Sequence, residues 1–151
     1  MSVKFEYISI IKATPETLWR ALTDGTLTPD YYFGLRLTET DLKPDSPFDY
    51  LAPDGSVMCG GTVIECLPNQ RLVTTFEGME NPEGVKDPDS RVAFEIQQEG
   101  PCCRLTLTHD GFTKENQTYA NIRGGWPYIL SGLKTLLETD RPLFGGEKSE
   151  T

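Results

Sequence analysis

Tyr119-Ala-Asn-Ile-Arg-Gly-Gly-Trp-Pro-Tyr-Ile-Leu-Ser-Gly-Leu-Lys-Thr-Leu-Leu137 decides how this chain folds. Its apolar residues fall at Tyr119, Ile122, Trp126, Ile129, Leu130, Leu133, Leu136 and Leu137. Steps of three and four place them on one stripe of a helix. The pattern predicts a helix over Lys114 to Asp140, which would span about 37 Å. Gly124, Gly125 and Pro127 interrupt it. In a helix interior glycine costs about 1 kcal/mol and proline ~3 kcal/mol relative to alanine. Three readings account for that cost. The helix starts in earnest at Pro127, where proline is welcome; or it packs closely on its neighbour; or a kink there widens a pocket and sets Trp126 against a ligand.

Everything upstream of this helix reads mainly as strand. Val3 to Lys12 is β-branched and aromatic. Thr14-Pro15 then suits a helix start, and a short helix passes through Leu18, Trp19 and Leu22 to Asp24-Gly25. A second short helix is expected over Leu27 to Phe33. After Gly34, Leu35 to Thr40 alternates as a half-buried strand does. Phe48 to Leu51 and Met58 to Leu67 flank the turn Pro53-Asp54-Gly55, and Gly60-Gly61 marks a bulge or bend. Arg71 to Glu77, Arg91 to Gln97 and Cys102 to His109 complete the strands, with Asp110-Gly111-Phe112 expected to end the sheet. Gly78 to Ser90 carries two prolines and two glycines and reads as a long loop. It is either a loose insertion or the lid of a pocket.

One long amphipathic helix is available to cover one large sheet. The expected fold is therefore α+β: a curved antiparallel sheet of about seven strands around a long C-terminal helix, with two short helices after the first strand. Residues 1–143 read as one domain and 144–151 as a mobile polar tail.

Composition narrows the partners. The formal charge is -9, from 14 basic and 23 acidic residues. Such a surface repels phosphate backbones, so nucleic acid is not an expected partner. No apolar run reaches the ~20 residues of a membrane span. Residues 1–12 lack the pattern of a secretion signal, so a cytoplasmic location is expected. Cys59, Cys66, Cys102 and Cys103 form no CxxC pair, and the lone His109 completes no zinc spacing with them. All four read as reduced thiols, with redox sensing by the adjacent pair as the alternative. No metal or cofactor is expected.

Residue by residue, the chain resembles the activator of heat-shock-protein-90 ATPase homologue family, within the START-like SRPBCC superfamily. The resemblance is carried by Ala13-Thr-Pro-Glu-Thr-Leu-Trp-Arg-Ala-Leu-Thr-Asp24, by Gly61-Thr-Val-Ile-Glu-Cys-Leu-Pro68 with Arg71-Leu-Val73, and by Gly124-Gly-Trp-Pro-Tyr-Ile-Leu-Ser-Gly-Leu-Lys-Thr-Leu-Leu137. It covers nearly the whole chain. It implies a helix-grip fold with a deep cavity between sheet and long helix. It also implies a superfamily of lipid carriers, hormone receptors, polyketide cyclases and co-chaperone domains, and a link to the stress response. Where the family often has a tryptophan, this chain has Asp30-Tyr31-Tyr32-Phe33-Gly34, which keeps aromatic bulk without an indole.

The expected function is binding of a hydrophobic small molecule, such as a lipid, polyketide or aromatic metabolite, in that cavity. The candidate ligand-binding residues are Trp126, Leu130, Tyr31, Tyr32, Phe33, Leu35, Met58, Phe76, Phe94 and Tyr119. Two other readings stand beside it. One is a protein-interaction module that binds a chaperone, a regulator or a second copy of itself. The other is a cyclase or hydrolase using His109 or an inward Glu65 or Glu95. His109 precedes Asp110, but neighbours on a strand face opposite ways and cannot orient one another. The sequence names no catalytic set.

Overall fold

The computed structural model describes residues 3–144. Of the polar tail expected over 144–151, residues 145–151 lie outside the described residues. The elements are β1 (Val3–Ile11), α1 (Pro15–Thr23), a 3-10 turn (Thr28–Asp30), β2 (Arg36–Leu37), β3 (Pro47–Leu51), β4 (Val57–Leu67), β5 (Arg71–Phe76), β6 (Ser90–Glu99), β7 (Cys102–Phe112) and α2 (Gln117–Thr139). The seven strands form one antiparallel sheet in the order β1-β7-β6-β5-β4-β3-β2. This sheet, closed over α2, is the helix-grip fold.

Local chemistry sets each boundary. Thr14 accepts a hydrogen bond from the Thr17 N–H at 3.1 Å and Pro15 opens α1, as the capping pattern requires. The second helix shrinks to a three-residue turn. Buried Thr28 accepts the Leu37 N–H at 3.0 Å and ties the turn to β2. Phe33 and Gly34 then adopt φ of 51° and 75°, which ends any helix at once. The strand expected over 35–40 is reduced to Arg36–Leu37, although Thr38 still donates its N–H to the Asp49 carbonyl at 2.9 Å; beyond it Leu42 and Asp45 turn left-handed, with φ of 56° and 72°.

β7 runs past its expected end. Residues Cys103, Leu105, Leu107 and His109 alternate inward, and strict alternation would send Phe112 outward. Gly111, at φ 86°, inserts a bulge against β1 and returns Phe112 to the core beside His109, ring centroids 4.9 Å apart. The register shifts of β4 fall on either side of the Gly60-Gly61 pair, at Met58 and Ile64, rather than at the glycines. A Cβ at Gly61 would stand 2.1 Å from the Thr75 carbonyl oxygen, so only glycine lets β4 and β5 approach there.

α2 starts at the Asn116 cap, whose side chain accepts the Tyr119 N–H, and continues unbroken through Gly124, Gly125 and Pro127. It therefore does not begin at Pro127. Close packing occurs elsewhere: a Cβ at Gly132 would lie 3.4 Å from Tyr31, whereas one at Gly124 would meet nothing. Phe144, the first residue of the expected tail, has its ring centroid 6.1 Å from that of Tyr128.

The segment between β5 and β6 is irregular but held. The Asn81 N–H donates to the Val85 carbonyl at 2.8 Å, and Glu80 bridges Lys86. Asp87 accepts hydrogen bonds from both the N–H and the hydroxyl of Thr118, each at 2.8 Å, in the first turn of α2. The Thr118 hydroxyl accepts the Met79 N–H in turn. The carboxylate thus caps the helix and favours its positive end. Asp87→Ala should lower stability by about 1–2 kcal/mol and speed amide exchange across 79–87. Urea unfolding and hydrogen exchange of the variant against wild type provide the check.

Candidate functional site

Trp126 lies at mid-length of α2 and is 3% exposed. Tyr32, Phe94 and Phe76 surround its indole at centroid distances of 5.9, 5.8 and 6.5 Å, the first two edge-on. An indole N–H is a donor only, and burial without an acceptor would cost about 1–3 kcal/mol. His109 supplies the acceptor: Trp126 Nε1 donates to His109 Nδ1 at 3.0 Å. That assigns the ring proton of the neutral imidazole to Nε2, which donates to Ser90 Oγ at 2.7 Å. Burial pulls the His109 pKa down to about 3. The imidazole is thus neutral near pH 7 and holds the tryptophan in place. It touches no groove and has no carboxylate partner; Asp110 faces away toward Arg91 at 3.7 Å.

The remaining acid candidates are also outside. Arg71 on the outer face bridges Glu65 at 2.5 Å and Glu95 at 3.0 Å. No group of three or more His, Cys, Asp or Glu able to hold a metal occurs among the described residues. No helix among them is long and apolar enough to cross a membrane.

The deep cavity implied between sheet and helix is almost filled. About 40 Å³ remains, lined by Leu22, Tyr31, Tyr32, Tyr50, Thr74, Phe94, Leu130 and their neighbours. Ligand pockets run from ~300 Å³ upward, so this space alone takes no organic ring. Aromatic side chains occupy it: Tyr32 and Tyr50 stack at 4.2 Å and 12°. A larger space lies at the mouth, where an open groove of about 300 Å³ runs between residues 32–35, β4, Met79 and α2. The groove and the inner cavity share Tyr32, Phe76, Trp126 and Ile129 as a common wall.

The structure divides the candidate residues between these spaces. Trp126, Tyr32, Phe33, Leu35, Met58 and Phe76 line the groove. Phe33 and Met58 stand on its rim, each 59% exposed, rather than in the interior. Tyr31, Leu130 and Phe94 line the inner cavity only. Tyr119 lines neither and packs edge-on against Phe112 at 5.3 Å. Sequence reading missed Cys59, Met79, Ile122, Gly125 and Ile129 in the groove and Tyr50 in the cavity. Ile122 and Ile129 were legible as members of the helical stripe. Cys59 and Met79 were not, because only the pairing of β3, β4 and β5 brings them to the mouth. Burial, with Glu77 and Asp49 nearby, pushes the Cys59 thiol up to about 11, so it is un-ionised.

Residues 12–138 match the model of the family described as Activator of Hsp90 ATPase homolog 1-like protein. The chain belongs to that family. No curated protein matches it. Solved structures show the same fold at low identity. A Mesorhizobium loti protein is 24% identical, with 90% of this chain and 97% of that one covered and a TM-score of 0.76. The Aha1 dimer from Colwellia psychrerythraea is 18% identical, covering 91% and 97%, with a TM-score of 0.72. An HSP90 activator from Plasmodium falciparum is 22% identical, covering 89% and 96%, with a TM-score of 0.71. The Hsp90-ATPase-activator-like family accounts for the sheet and for α2; the groove is built from this chain's own side chains.

The His109 environment predicts a pH response. Its pKa is lower folded than unfolded, so the unfolded chain binds the extra proton first. The stability it confers is complete above about pH 6.5 and falls as pH drops toward 3, by up to ~1.4 kcal/mol per unit. Urea midpoints between pH 7.5 and 5.5 should fall more in wild type than in His109→Gln, which carries an amide in place of the titrating ring. Equal losses in the two proteins would contradict the assignment.

Proposed function

We propose that this chain binds an apolar, ring-sized molecule in the open groove over Trp126. The observation that carries the reading is Gly125. It sits in mid-helix, where alanine would be more stable by about 1 kcal/mol. No neighbour forbids a side chain there: an added Cβ would meet only Phe33 Cε2, at an ordinary 3.7 Å. Helix packing therefore gives no reason for the glycine, whereas an open groove does. Phe33 supports the same reading. A bulky residue at φ 51° is strained, and this one is held on the rim of the groove. Apart from Asn121 the lining is aromatic, aliphatic and sulfur-bearing, as pockets for apolar ligands are. We place the activity in the cytoplasm, where the four free cysteines would stay reduced.

A second reading is favoured by the exposed rim. Phe33, Val57 and Met58 are each more than half exposed. An apolar rim of this kind also suits contact with a protein, whether a chaperone or a second copy of the chain.

Naphthalene is a suitable probe for the groove, and Trp126 reports on it. Wild type should gain thermal stability with naphthalene and show a saturable change in tryptophan fluorescence. Gly125→Leu, which fills the groove, should abolish both while keeping its own melting temperature at or above that of wild type. Absence of any effect on wild type, or an undiminished effect on Gly125→Leu, would reject the groove as the binding site.

A further inference from the structure

The tyrosine and threonine hydroxyls of the inner cavity fall into two groups. Tyr31 Oη donates to the Ala21 carbonyl at 2.8 Å and is satisfied. The hydroxyls of Tyr32, Tyr50 and Thr74 make no hydrogen bond to any other described residue. Yet Tyr32 and Thr74 are only 6% and 7% exposed. No fully occluded polar side-chain atom is left unpaired among the described residues, so these hydroxyls border open space. All three residues line the inner cavity, whose 40 Å³ suits a single oxygen-sized group. Tyr32 also belongs to the wall of the outer groove, so the cavity lies directly behind the groove floor.

A hydroxyl that the protein leaves unpaired but accessible takes its partner from whatever occupies the space it borders. Simple packing would be served as well by phenylalanine and valine. Phenols are better donors than acceptors, and burial raises the ionisation of both tyrosines well beyond physiological pH, so both keep their protons. No lysine, arginine or histidine lines either the groove or the cavity. Asp49 and Glu77 stand close enough to Cys59 to raise its pKa. The site thus offers donors to an acceptor and no counter-charge to an anion.

We propose that Tyr32, Tyr50 and Thr74 are the polar handle of the site, and that its ligand is an uncharged ring system bearing an acceptor oxygen, such as an aryl ketone. The ring lies in the groove against Trp126, and the oxygen reaches the hydroxyls behind the floor. Fatty acids and other carboxylates are disfavoured. This inference rests on the binding reading above and adds the chemistry of the ligand.

Naphthalene, 2-acetylnaphthalene and 2-naphthoate share one ring system and separate the two claims. By titration calorimetry, the ketone should bind wild type about tenfold more tightly than naphthalene, and the carboxylate more weakly than either. In Tyr32→Phe/Tyr50→Phe the ratio of ketone to naphthalene affinity should fall toward one, and Thr74→Val should lower it further. Each change removes a hydroxyl without a protein partner, so melting temperatures should hold; each single variant repeats the test if a combination does not fold. A ketone that binds no better than naphthalene, a carboxylate that binds best, or a ratio unchanged in the variants would overturn the handle and leave the groove standing. If none of the three binds wild type, the groove reading fails and the handle fails with it.

Discussion

Burial of Trp126 constrains the rest of the molecule. Its indole is the largest apolar group on the buried face of α2, and its N–H must find an acceptor inside the sheet. His109 provides one only because β7 alternates inward as far as that residue. Ser90, at the start of β6, then accepts from the far side of the imidazole. The bulge at Gly111 brings Phe112 back against the same ring. A helix, two strands and a glycine bulge are thus locked to one another through one hydrogen-bonded chain. The sole histidine takes part as a neutral structural group, not as a base.

The same aromatic cluster determines where space is left. Tyr32, Tyr50, Phe76, Phe94 and Trp126 fill the volume under the sheet, and a cavity of 40 Å³ survives. Room for a guest is displaced outward to the 300 Å³ groove at the mouth. The segment after the 3-10 turn forms one side of the groove, through Tyr32, Phe33 and Leu35. Met79 forms another, held by the Thr118 hydroxyl at the end of the segment that Asp87 pins to α2. The segment before β6 is therefore a fixed wall in this structure rather than a loose insertion.

Membership of the Hsp90-ATPase-activator-like family defines the architecture and stops there. The solved structures compared here are 18–24% identical, and at that distance a shared fold does not carry a shared ligand or partner. The functional reading rests instead on side chains of this chain: a mid-helix glycine facing a groove, a strained phenylalanine on its rim, and hydroxyls left unpaired behind its floor.

The sequence by itself determined the elements whose signal is periodic or local. The α2 stripe, the Thr14-Pro15 start of α1 and the long strands could all be read directly, because each depends on spacing or on one residue's backbone. Trp126 and Tyr32 were legible as aromatic residues bordering the space between sheet and helix, where the structure places both. Tertiary structure decided the rest. The second helix is cut short where Phe33 and Gly34 turn left-handed, and it is anchored by the Thr28–Leu37 bond, a partner that no local pattern reveals. Whether the interior is hollow depends on how rings from five elements pack, and side-chain volumes become additive only once the backbone has placed them. Tyr50, Thr74, Cys59 and Met79 reach the site through strand pairing and loop closure alone. Their roles follow from register and distance, which a one-dimensional pattern does not contain.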